Sequence, residues 1–156
     1  MGSRPSFDLS KMSTADKILL GAAFVFFIDT FLPWQRVCIS FLGVSGCGSA
    51  NAWTGSGAWA GVLAGILSLL LLAWLVVGLL GLNLDVGVPD STVSAGLVGG
   101  TVLFGVLKFL LVIANHSFIG AWLGILLLIA LGYGAYMKMQ EPKGTVLPPA
   151  PPGPAI

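Results

Sequence analysis

Apolar residues in this chain come in long unbroken runs and seldom alternate with polar ones. The first run, Ile18 to Leu32, is stopped by Pro33. A crossing takes about 20 residues, so this run spans a bilayer only if Lys17 snorkels at one end and Pro33-Trp34 lies in the interface at the other. Three further runs follow, at about 58–82, 93–114 and 118–137; the first of these has no charge and the second only Lys108. The pattern predicts helices over about 17–33, 58–82, 93–114 and 118–137, together one membrane domain at 17–137. Ser13-Thr14-Ala15-Asp16 has the form of a capping box with Asp in place of Glu, which starts helix one near Asp16 or Lys17.

Polar segments separate these runs. Residues 1–16 form an N-terminal tail, where Met1-Gly2 with Ser6 matches a loose myristoylation pattern that a plain start site explains equally well. No small-x-small cleavage site follows the first apolar run, so it reads as a retained anchor and not as a signal peptide. In the outer loop, 34–57, the alternation Val37-Cys38-Ile39-Ser40-Phe41 followed by glycines predicts a short hairpin on the membrane surface. Asn83 to Ser91 is a turn-rich connection with Asp85 and Asp90, and Asn115-His116-Ser117 is a tight turn. Residues 138–156 hold six of the nine prolines, a solvated polyproline-type tail or a ligand for an aromatic groove.

Composition places the runs in a membrane. Hydrophobic residues make up 56% and charged residues 8% of the 156, against about 25% charged in soluble domains, and mean hydropathy is +0.99. The expected fold class is therefore an all-α membrane protein, a four-transmembrane-helix bundle with a short disulfide-closed outer hairpin. Seven basic residues and a net charge of +1 assemble no face for nucleic acid, which is excluded as a partner. Arg4, Lys11, Lys17, Lys138 and Lys143 fall in or beside the tails, while the two opposite loops contain only Arg36. Both termini are expected in the cytoplasm, in a multi-pass protein of the plasma membrane. Trp34, Trp53, Trp59 and Trp122 would anchor the outer interface, with Trp74 deeper.

Few residues carry candidate chemistry. Asp29 and Lys108 are the charges embedded in apolar runs, at similar depth by helical rise. An unpaired charge near the middle of a span costs at least ~2.5 kcal/mol, so an intramembrane ion pair is the economical expectation, with independent snorkelling as the bland one. Cys38 and Cys47 lie on the exported side and should form a disulfide; a redox-active pair would need a Cys-x-x-Cys arrangement and a second pair. Gly57, Gly61 and Gly65, Gly96 and Gly100, and Gly120 and Gly124 have the four-residue spacing of helix-packing faces, within the bundle or between copies. His116 stands without a second histidine or an acid nearby, so no metal site is expected, and its sequon Asn115-His116-Ser117 lies too near the membrane for glycosylation. No catalytic set and no cofactor motif is present.

Phe27-Ile28-Asp29, Phe31-Leu32-Pro33-Trp34, a glycine-rich loop with Ser49-Ala50-Asn51-Ala52-Trp53, a lysine late in helix three and Lys138-Met139-Gln140-Glu141 resemble small four-span membrane proteins of actinobacteria. That resemblance covers about 16–141, implies a bacterial inner membrane and carries no activity. A weaker similarity to claudins rests on four spans, cytoplasmic termini and two cysteines with eight residues between them in the first outer loop; their Gly-Leu-Trp is missing and the loop is about half as long. The expected function is a non-enzymatic scaffold or accessory subunit, with the bilayer and a homo-oligomer or larger membrane complex as partners. The alternative is a small oligomeric transporter or channel subunit using Asp29 and Lys108.

Overall fold

A computed structural model describes residues 9–82, 84, 86–114 and 118–142. His116 and its sequon, the myristoylation pattern and the proline-rich tail from 143 onward lie outside them. The described chain runs α1 (Thr14–Asp29), β1 (Gln35–Phe41), β2 (Val44–Ala50), α2 (Ala58–Leu79), α3 (Asp90–Ile113) and α4 (Ile119–Gln140), with a short 3-10 turn at Leu9–Lys11. The chain is mostly helical, and α2, α3 and α4 are each long and apolar enough to cross a membrane. α1 has 16 residues, about 24 Å at 1.5 Å per residue.

Neighbouring helices in the chain pack on one another, and α4 closes the ring on α1, so α1 and α3 occupy opposite corners. The core is built mainly of small and aliphatic residues from all four helices, among them Leu19, Ala23, Ala64, Leu71, Val98, Val112, Ala121, Leu128 and Leu131, together with the aromatic Phe26. Two buried hydroxyls satisfy themselves locally, Ser68 Oγ donating to the Gly65 carbonyl on α2 and Thr101 Oγ1 to the Leu97 carbonyl on α3, whereas the buried Ser94 hydroxyl of α3 has no hydrogen-bond partner among the described residues.

Helix ends depart from the apolar runs for identifiable reasons. α1 begins at Thr14 with Ser13 as its cap, the Ser13 hydroxyl accepting from the Asp16 N–H. It ends at Asp29, four residues before Pro33. Thr30 closes it by donating its hydroxyl to the Phe27 carbonyl at 2.6 Å, while its own carbonyl accepts from Ala52 N–H in the loop. α3 starts at Asp90 and not near Val93, because Pro89 presets the backbone and Asp90 places an acid in the first turn, next to the positive end of the helix dipole. α4 continues to Gln140, three residues beyond the last apolar one expected, with Lys138 on its last turn.

The predicted hairpin is present. β1 and β2 pair antiparallel, Cys38 opposite Cys47 and Phe41 opposite Val44. Leu42 and Gly43 between them both take positive φ, 49° and 80°, as a tight turn matching strand twist requires.

Candidate functional site

The end of the bundle that carries the hairpin concentrates the buried polar groups. Here Pro33 and Trp34 turn inward from α1 and dock on α4. Trp34 is 1% exposed, and its indole N–H donates to the Asp29 carbonyl at 3.0 Å, the partner a buried tryptophan needs. Its ring lies over Gly124, where a Cβ would stand 2.6 Å from the ring edge; at Gly120 a Cβ would stand 2.6 Å from the Pro33 carbonyl oxygen. The backbone completes the joint, for the Pro33 and Trp34 carbonyls accept from Gly120 and Phe118 N–H and so satisfy donors left open at the start of α4.

The strand returning from the hairpin docks on α2 in the same way. A Cβ at Gly61 would overlap the Ala52 carbonyl, and one at Gly65 would meet the Trp53 ring at 2.6 Å. Trp53 donates its indole N–H to Thr30 Oγ1 and stacks on Phe31 at 5.5 Å. Asn51 shapes the turn by accepting from Trp53 N–H and from the Thr54 hydroxyl. Gly57, with φ of 67°, then opens α2 against Leu111.

The glycine-packing expectation therefore needs correction. Gly61, Gly65, Gly120 and Gly124 make room for loop backbone and tryptophan rings, not for another helix backbone. Gly57 and Gly100 do face a neighbouring helix, meeting Leu111 and Leu67 of α3 and α2, and Gly96 has no atom near it. Gly105 against Leu128 and Gly134 against Leu19 are close helix contacts outside the four-residue pattern. Trp34 is likewise a bundle residue and not an interface anchor, and Trp53 is half-buried and bonded. Trp59 and Trp122 are exposed, at 58% and 52%, on the first turns of α2 and α4.

Asp29 and Lys108 are both fully buried and do not pair. The expected ion pair fails because their helices stand on opposite corners of the ring. Lys108 turns to the loop before α2 and donates to the Thr54 carbonyl at 2.9 Å and the Ser56 carbonyl at 2.7 Å. Asp29 faces α4, with Oδ2 2.9 Å from where a Gly124 Cβ would lie, and neither carboxylate oxygen has a hydrogen-bond partner among the described residues. Equal depth along two helices places two charges in one layer, but only the angular position of each helix brings them together.

Beyond Gln35, which is itself buried, the hairpin stands out from the bundle with nearly every residue exposed. Its register sorts the side chains. Val37, Ile39, Phe41 and Val44 share one face with Gly46 and Gly48; Arg36, Ser40, Ser45, Ser49 and the Cys38–Cys47 disulfide share the other. Phe41 is 73% exposed and Val44 75%. On the polar face a groove of about 270 Å³ lies between the hairpin and the start of α4, lined by Pro33, Arg36, Cys47, Gly48, Ser49 and Phe118.

A second polar cluster, at the opposite end, joins all four helices. Lys138 of α4 makes ion pairs of 2.7 Å with both Asp16 of α1 and Asp90 of α3, and the Trp74 indole of α2 donates to Asp90 at 2.7 Å. Trp74 thus reaches the bundle end and is not the deep residue expected. This cluster was open to inference, because antiparallel helices bring the start of α1 and the end of α4 together, but each charge taken alone reads as a flanking residue.

Among the described residues no group of three or more His, Cys, Asp and Glu could hold a metal ion. Family models, curated proteins and solved structures were compared with the chain, and none matches it.

Proposed function

We propose that the chain is a four-span, non-enzymatic protein of the plasma membrane, both termini cytoplasmic, acting as a scaffold or accessory subunit of a membrane complex. α1 becomes the fourth span when Thr30 to Trp34 is counted with it. The observation that carries the reading is the hairpin: a disulfide-closed ribbon, seated by Trp34 and Trp53 on the helices, that holds Val37, Ile39, Phe41 and Val44 away from the protein's own core. An isolated two-stranded hairpin is marginal in water, and an apolar face of this kind marks an interaction surface. The resemblance to actinobacterial four-span proteins accords with a bacterial inner membrane.

Native gel electrophoresis of mildly solubilised source membranes tests it. The wild type should migrate in an assembly larger than the purified chain, and Ile39→Ser with Phe41→Ser should return it to the size of the free chain. Migration of the wild type as the free chain would remove the accessory-subunit reading.

A second reading, a small transporter or channel subunit, is favoured by the buried Asp29 carboxylate, which has no hydrogen-bond partner among the described residues. Reconstituted flux that Asp29→Asn abolishes would establish it, and no flux from the wild type would leave the scaffold.

A further inference from the structure

We propose that the groove between the hairpin and the start of α4 binds the headgroup of an anionic phospholipid, with Arg36 as the residue that holds the phosphate. The proposal rests on the hairpin end lying at a membrane surface.

Arg36 lacks a counter-ion within the described protein. Of the described acids, Asp16 and Asp90 are engaged by Lys138 at the far end, Glu141 follows α4 at that same end, and Asp29 is buried against Gly124. Lys108, which also lies toward the hairpin end, is buried and committed to two loop carbonyls. Arg36 is thus the exposed positive charge of this end, and a guanidinium offers the planar fork that suits a phosphate oxygen pair. Ser49 stands opposite Arg36 in the register and also lines the groove, adding a hydroxyl donor.

The rest of the lining fits a lipid better than a free anion. Pro33 and Phe118 make one side of the groove apolar. Below Phe118, Ile119, Trp122, Leu126, Ile129 and Tyr133 recur at three- and four-residue steps along α4, each more than half exposed. Side chains at that spacing share one helix face, so an apolar track starts where the groove ends and runs the length a lipid chain would take. The groove, at about 270 Å³, is just below the ~300–1,000 Å³ typical of drug-sized ligand sites, which suits a headgroup whose chains lie outside it.

Native mass spectrometry of the full chain, released from nanodiscs of equal phosphatidylglycerol and phosphatidylcholine, tests this. The wild type should retain phosphatidylglycerol about tenfold over phosphatidylcholine, as one charge-assisted contact allows. Arg36→Gln should abolish the preference and Arg36→Lys should keep most of it, while Arg4→Gln, outside the hairpin, should leave it unchanged. Equal retention of the two lipids by the wild type, or an undiminished preference in Arg36→Gln, would overturn the proposal. Displacement of the retained lipid by millimolar glycerol phosphate would overturn the lipid assignment in favour of a soluble phosphate. A melting curve matching the wild type shows that Arg36→Gln is folded; should it not fold, loss of the preference in Ser49→Ala with Phe118→Ser supports the site and its persistence there overturns it. Both nanodisc leaflets are accessible, so the result stands whichever side the hairpin faces in the cell and whether or not a partner complex exists.

Discussion

At the hairpin end Lys108 gives its ammonium to the Thr54 and Ser56 carbonyls, out of contact with solvent, whereas at the other end Lys138 sits between the Asp16 and Asp90 carboxylates. The two lysines do different work. Lys108 holds a loop in place by its backbone, and each of those carbonyls is left without this donor if the lysine is removed. Lys138 ties three helix ends by side-chain pairs of which Asp90 is 60% exposed, so water can take over when a partner is lost. Around Lys108 the joint is completed by rings and backbone pressed onto glycines, which leaves no room for adjustment. Around Lys138 the Asp90 carboxylate is open to solvent, and salt reaches that pair.

The largest test of this contrast is Gly124→Ala. The new methyl would lie against the Trp34 ring and the Asp29 carboxylate, and overpacking of that kind costs about 3 kcal/mol, read as a lowered midpoint of unfolding in detergent. Lys108→Met should follow, at about 2 kcal/mol for two carbonyls left without their donor, with faster amide exchange at Asn51 to Gly57. Because Lys108 and Asp29 do not touch, Asp29→Asn should add to Lys108→Met with a coupling below about 0.5 kcal/mol; a coupling above 1 kcal/mol would restore the ion pair. Replacing Cys38 and Cys47 together by Ser should cost about 2 kcal/mol, confined to the hairpin, with the helical circular dichroism of the bundle unchanged. At the opposite end Lys138→Met should cost about 1 kcal/mol or less, and the difference from wild type should shrink as salt is raised. The smallest effect expected has the opposite sign: Gly96→Ala, with open space around it, should leave stability unchanged or raise it by about 0.5 kcal/mol.

Gly96 and Gly124 show how far the pattern carried. Both belong to four-residue glycine steps in apolar helices, and nothing local distinguishes them. One lies under a tryptophan that arrives from a loop some ninety positions away in the chain, and the other faces open space. Asp29 and Lys108 make the same point for charge. Their burial followed from their place within apolar runs, but the partner of each depended on the order of helices around the ring. Trp34 is expected at the interface because tryptophans are enriched at the membrane–water boundary; Thr30 ends α1 early enough to turn it inward instead.

The chain by itself determined the four helical segments within a few residues, the strongly apolar character of α2 to α4, the hairpin and its cysteine pairing. These are properties of neighbours in sequence: runs of apolar side chains, period-two alternation, a proline, a glycine at a turn. The tertiary structure alone decided that the glycine faces receive Trp34 and Trp53, that the Lys108 ammonium is held by carbonyls while the Asp29 carboxylate accepts no hydrogen bond from the described residues, and that Lys138 gathers Asp16 and Asp90. Each of those contacts joins residues from different elements, and which elements meet is set by how the whole ring packs.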